Sequence, residues 1–192
     1  MKMKLLKQIY YKIKCDKIIK KHANYKREKY EDRNVLESII FPYMLAYHNP
    51  ETVLDIGREG NQKFYNDFFS NRELWTIDLN PKHREFGAKN HVTDDVVNIK
   101  KHFKNNYFDF ILMNGVFGWG LDDEKKIQTA FDGIYKILKP NGIFILGYND
   151  EIFPFKKING LNKLKKYKFE PLKNSSFKCI NGNHTYDFYI KK

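Results

Sequence analysis

Apolar residues along this chain follow two alternating rhythms, and the rhythm at each place predicts the element. Residues 52–56 form a short, β-branched run that reads as a buried strand. Comparable runs at 74–79, 91–93, 108–113 and 143–146 predict four more, and 108–113 is so uniformly apolar that it suits a central parallel strand covered on both faces. Helical spacing takes over between them. Phe64, Tyr65, Phe68 and Phe69 recur within 62–69, Pro81 opens a short helix over 82–88, and another helix is expected over 96–103. Asp122 or Asp123 caps a long helix whose buried stripe is Ile127, Ala130, Phe131, Ile134, Ile137 and Leu138. Lys139-Pro140-Asn141-Gly142 ends that helix and turns into the fifth strand.

Both flanks are more basic. Leu5, Leu6, Ile9, Tyr10 and Ile13 recur at helical spacing among lysines, with Ile18 and Ile19 continuing the stripe, so a basic amphipathic helix is expected to pack on the domain. A polar hinge over 22–32 precedes a second helix starting at Asp32, which Pro42 should interrupt or kink. Beyond the fifth strand, 153–174 is lysine-rich and broken by Pro154, Gly160 and Pro171, which predicts a mostly irregular connection or short helix. Residues 177–180 and 186–190 read as two strands joined around Asn181-Gly182-Asn183. Strand alternation puts His184 and Asp187 on opposite faces, so they form no dyad and His184 is left to act alone.

The 192 residues, 42% hydrophobic and 16% aromatic, suit one domain with a sizeable core, divided here into a helical segment over 1–50 and an α/β domain over 51–192. Cys15 and Cys179 stand far apart without a zinc-ligand pattern, which fits a reducing, cytoplasmic setting and no metal site. Lysines break the N-terminal apolar stripe, and no stretch reaches membrane-spanning length. The net charge of +12 is unevenly spread: +9 over residues 1–30 and +8 over 154–192 leave −5 for the residues between. Basic flanks on an acidic centre would gather an anionic partner, whether a phosphorylated metabolite, a nucleic acid or a lipid surface contacted peripherally. Lysine filling solvated positions throughout is the plainer account.

Candidate chemistry concentrates where strands end. The first strand runs into Asp55-Ile56-Gly57-Arg58-Glu59-Gly60-Asn61, an acid followed by a turn in which glycine lets a ligand approach the backbone. Asp78 closes the next strand, where a doubly wound sheet commonly sets a carboxylate against ribose hydroxyls. Together with HVTDDVVNI, YFDFILMNGVF and ILKPNGIFILGYND in the same order, these motifs resemble the class I S-adenosylmethionine-dependent methyltransferases over about residues 53–150. Glu59 and Asn61 occupy two positions where that family usually has glycine.

The resemblance implies a doubly wound, mostly parallel seven-stranded α/β sheet with an antiparallel last strand, and S-adenosylmethionine as cofactor. It implies that Asp55, Gly57 and Gly60 meet the cofactor's methionine side, Asp78 the ribose and Asp95 the adenine, with Asn114 at the transfer site. Trp119, Tyr148 and Asp150 fall on the acceptor side of the same sheet edge. The acceptor is expected to be an oxygen or nitrogen of a small molecule, anionic or sugar-like, rather than a nucleic acid. Because a sulfonium methyl is already activated, orientation supplies most of the acceleration and no dedicated catalytic residue is required. Two other readings compete. A nicotinamide-dependent reductase fails on its G-x-G-x-x-G fingerprint at Glu59. A non-catalytic relative, holding nucleic acid or an anionic membrane through its basic flanks, draws support from the altered glycine turn.

Overall fold

The computed structural model describes residues 2–22, 31–152, 159–180 and 182–192. Five parallel strands form its centre: β1 (Thr52–Ile56), β2 (Glu73–Asp78), β3 (Asn90–Thr93), β4 (Phe108–Asn114) and β5 (Leu138–Asn149). Three more follow, β6 (Lys165–Lys166), β7 (Ser176–Lys178) and β8 (His184–Ile190). The spatial order is β3-β2-β1-β4-β5-β8-β6, and β7 also pairs with β8. β8 runs antiparallel to β5, and β6 and β7 share its outer edge, so the sheet is seven strands wide. The chain order reverses between β1 and β4, which leaves a crevice at their carboxyl ends.

Alternation along each strand feeds two cores. Leu54, Ile56, Ile111, Met113, Phe144 and Leu146 face one side, where they meet Ile99 of α5 (Ile99–His102) and the stripe of α6 (Glu124–Ile137). Asp123 caps α6 by accepting from the Lys126 amide at 3.0 Å. Gly133 is needed in α6 because a Cβ there would collide with Ile99 Cγ2. At the other end of α6, Lys191 Nζ donates to the carbonyls of Tyr135 and Leu138 at 2.7 Å each and to Asn106 Oδ1 at 2.8 Å. The last strand thereby ties the helix terminus to the sheet.

Val53, Phe110, Leu112, Ile143 and Ile145 face the opposite core. It is completed by the aromatic cluster of Tyr65, Phe68 and Phe69 around α4 (Tyr65–Phe68), and by a helical run over 31–48. Pro42 does not break this run. The run opens as α2 (Glu31–Val35), and five-residue π turns at Leu36–Ile40 and Met44–His48 flank the short helix α3 (Phe41–Tyr43), with the Phe41 amide reaching back to the Leu36 carbonyl. The wider turns absorb the missing Pro42 N–H without ending the helix. The helix α1 (Lys2–Lys21) lies against the run, with Cys15 Sγ 3.5 Å from the Pro42 carbonyl and the Tyr11 and Tyr47 rings 4.6 Å apart.

Other departures from expectation are local. The helices expected over 62–69 and 96–103 open as 3-10 turns, at Gly60–Gln62 and Val96–Asn98, and Pro81–Phe86 is 3-10 throughout. β5 begins directly after α6. The connection to β8 contains a 3-10 turn at Asn159–Lys163 and β6, neither of which shows as hydrophobic alternation; its residues 153–158 lie outside the described residues. Among the described residues no helix is long and apolar enough to cross a membrane.

Candidate functional site

A cavity of about 360 Å³ opens at the carboxyl ends of β1, β2 and β4. Gly57, Asp78, Asp95, Asn114 and Trp119 line it. Gly57 sits at the corner with φ +80°, and a Cβ there would stand 2.9 Å from Val116 Cγ2. Only a glycine leaves the corner open without strain. Asp78 ends β2 with one oxygen accepting from the Arg58 amide at 2.8 Å and the other from the Asn80 amide at 2.8 Å. His83 Nδ1 lies 3.2 Å from the same carboxylate. Each carboxylate oxygen accepts more than one bond, so capacity for ligand hydroxyls remains.

Asp55 is placed differently. It shares a sheet face with Thr76 and Asp78, yet its carboxylate is buried below the cavity wall, 2.7 Å from Arg58 Nη2. Burial raises its pKa and the Arg58 charge opposes that rise. Arg58, 1% exposed, also donates to the Gln62 carbonyl at 3.0 Å, Asn66 Oδ1 at 3.1 Å and the Phe86 carbonyl at 3.4 Å. This arginine, drawn inward, is the floor of the corner. Glu59 also lines the cavity, where its exposed side chain exchanges capping bonds with Gln62 and stands 3.9 Å from Arg33 Nη2. Gly60 lies off the wall, against the Phe86 ring.

Past β3, Asp94 and Asp95 both line the cavity. Asp95 caps the following turn by accepting from the Val97 amide at 3.1 Å. Asp94 accepts from His102 at 2.6 Å and Asn98 at 2.9 Å, and those bonds pull its pKa down to about 2. Asn114, at the end of β4, is 2.9 Å from His184 Nε2. Trp119 stands 76% exposed at the rim. Tyr148 and Asp150 are off the wall: Tyr148 packs on the first core, and Asp150 accepts from Thr185 at 2.6 Å and pairs with Lys178 at 2.6 Å.

Arg33, which no sequence pattern singles out, also lines the cavity. Its Nη1 is buried without a hydrogen-bond partner among the described residues. Its Nε stands 3.7 Å from Asp32 and its Nη2 3.9 Å from Glu59, so the cavity has carboxylates toward β2 and β3 and, elsewhere on its wall, a guanidinium with one nitrogen left unpaired among the described residues. That distribution fits S-adenosylmethionine, which carries hydroxyl and amino donors at its nucleoside end and a carboxylate at the other. The glycine corner supplies the close backbone approach such a ligand needs.

Residues 54–146 match the Methyltransferase domain family. No curated protein is similar enough in sequence to count as a relative. Among solved structures, the chain is similar to the N-methyltransferase NodS from Bradyrhizobium japonicum WM9, at 15% identity and a TM-score of 0.56 over 74% of this chain and 86% of that one. It is also similar to the PH0226 protein from Pyrococcus horikoshii OT3, at 18% identity and a TM-score of 0.56 over 88% and 94%. A third similar structure is the 1,6-didemethyltoxoflavin-N1-methyltransferase of Burkholderia thailandensis, at 16% identity and a TM-score of 0.54 over 79% and 76%. Strand order, cavity and the matched segment point the same way: residues 54–146 match the methyltransferase domain family, within a chain that has the fold of the S-adenosylmethionine-dependent methyltransferases.

Proposed function

We propose that this protein methylates an oxygen or nitrogen of a small-molecule acceptor. The observation that carries the reading is the cavity itself, bounded by three strand ends and the loop from Asn114 to Leu121, with Trp119 at its rim. Its volume of about 360 Å³ lies near the lower end for small-ligand sites, room for the cofactor itself, so a compact acceptor would meet it at the open rim beside Trp119. Two of the similar structures are named as N-methyltransferases, and one as bound to 1,6-didemethyltoxoflavin, which is in keeping with a small planar or polar acceptor.

Bound S-adenosylmethionine supplies an electrophilic methyl on a sulfonium. The chain supplies position and shelter. Asp78 holds hydroxyls at the end of β2, Asp95 faces the adenine, Gly57 admits the backbone approach, and Asn114 and Arg33 hold the amino-acid end. Asp55 acts at one remove, by fixing Arg58 and through it the corner whose amide holds Asp78. The glycine-rich loop after β4 gives an acceptor backbone to lean on, and Trp119 gives it a flat face. With an activated donor, in-line placement of the nucleophile and exclusion of water account for most of the acceleration.

Calorimetry with S-adenosylhomocysteine tests the cofactor site. The wild-type chain should bind saturably, and Asp78→Ala should weaken binding by roughly tenfold or more as charge-assisted bonds are lost. Unchanged affinity in that variant would refute the ribose assignment. Labelled S-adenosylmethionine incubated with a cell extract tests the acceptor class: label should pass to the low-molecular-mass fraction, and transfer confined to polymer would overturn the small-molecule reading.

A further inference from the structure

β8 opens with a histidine set between two asparagines. His184 is 6% exposed, with Nδ1 2.7 Å from Asn149 Oδ1 and Nε2 2.9 Å from Asn114 Oδ1. Asn149 is its register partner on β5, while Asn114 sits one strand further, beside Gly147. Gly147 makes room for this arrangement, because a Cβ there would overlap Asn114 Oδ1 and stand 2.8 Å from Tyr186 Cε1. Asn114 lines the cavity and His184 does not.

Burial lowers the His184 pKa to about 4, so the ring is neutral at physiological pH and carries one N–H. A neutral imidazole donates from one nitrogen and accepts at the other. Its two neighbours therefore cannot both present carbonyl oxygens; one asparagine must offer its amide N–H. Asn149, half-buried at the end of β5, does not line the cavity, so turning its amide leaves the cavity wall as it is. Turning Asn114 exchanges the group it shows to the cavity.

We propose that His184, as the Nε2–H tautomer, is a positioning residue that fixes Asn114 Oδ1 and leaves Asn114 Nδ2 facing the cavity as a donor to the cofactor's carboxylate. This rests on the cofactor site described above. The Nε2–H ring donates to Asn114, Asn149 turns its amide to Nδ1, and the Asn114 amide joins Arg33 as a second donor on the cavity wall. The opposite tautomer would make Asn114 turn and set carbonyl lone pairs against an anion. One proton on a buried ring thus decides whether this part of the cavity attracts or repels a carboxylate.

Calorimetry with S-adenosylhomocysteine on the full chain tests the inference with His184→Phe, His184→Gln, Asn114→Ala and the Phe/Ala double variant. Phe and Ala should each weaken binding by about tenfold, the double variant by no more than either alone, and Gln, whose amide can stand in for the Nε2–H donor, should restore most of the loss. Nitrogen NMR of the wild-type ring should show the Nε2–H form. Wild-type affinity in His184→Phe, additive losses, or an Nδ1–H ring would each overturn the proposal. Should His184→Phe fail to fold, the comparison of His184→Gln with Asn114→Ala and the tautomer still decide it. Failure of the wild-type chain to bind S-adenosylhomocysteine would remove the cofactor site and this inference with it, whereas normal wild-type binding with indifferent His184 variants removes the inference alone.

Discussion

Replacing Arg58 by leucine removes the charge that compensates a carboxylate within the fold. Asp55 loses the cation 2.7 Å away, and the acceptors on Gln62, Asn66 and Phe86 lose their donors. Breaking one side of a buried pair costs about 3–5 kcal/mol, because the remaining charge is stranded in a low dielectric. With a urea slope of about 2 kcal/mol/M, the unfolding midpoint should fall by about 2 M. Acidity supplies the second arm. Burial already raises the Asp55 pKa, and without Arg58 it rises further. A carboxyl with a raised native pKa holds a proton that the unfolded chain releases, so its contribution favours the native state in acid and is lost as pH rises through the raised value. The gap between wild type and Arg58→Leu should therefore be widest near pH 8 and narrow toward pH 5. Converting Asp55 to leucine as well should recover most of the midpoint, since no charge is then left buried. A single variant with an unchanged midpoint, or a deficit that ignores pH, would show that the pair does not hold the corner.

Gly57→Ala forces a side chain into a positive-φ corner and against Val116, at a cost of about 1–2 kcal/mol in urea unfolding, and should weaken S-adenosylhomocysteine binding in the same preparation. Adding Val116→Ala should relieve the contact but not the backbone strain. Lys191→Met strips three acceptors at the C-terminal end of α6, and thermal scans should show a loss of about 1–3 kcal/mol, or several degrees in Tm. Burial lowers the pKa of both His48 and His184 to about 4. The unfolded chain then takes up protons that the native state refuses, so stability should fall as pH drops from the ordinary histidine range toward 4, with a slope of up to ~1.4 kcal/mol per pH unit for each ring. Urea midpoints for His48→Gln should show a shallower slope than wild type.

The strand-forming runs and the stripe of α6 are legible because each is a local periodicity, and so is the crevice once β1 and β2 are seen to end in acids. Asp78, Gly57, Asp95, Asn114 and Trp119 gather on one wall for that reason. Asp55 and Arg58 are not legible in the same way. A cation in a glycine turn reads as solvated, and what draws Arg58 inward is a set of acceptors from 55, 62, 66 and 86 that come together only on folding. Arg33 reaches the cavity from the helical run over 31–48, whose passage through Pro42 depends on π turns that no hydrophobic spacing announces. Tyr148 and Asp150 have the right position along β5 but point to partners on the first core and on Lys178 and Thr185. Position along a strand predicts depth in the sheet, and packing decides direction.

The split border of β8 has a consequence for the protein in a crowded cell. β6 and β7 are two and three residues long and both contribute lysines, so neither offers an uninterrupted row of backbone donors and acceptors on which another molecule could lay a strand. At the other margin β3 spans four residues. A sheet with short margins, one of them charged, resists templated fibre growth, and this one should stay dispersed at concentrations where a long bare edge would recruit its neighbours.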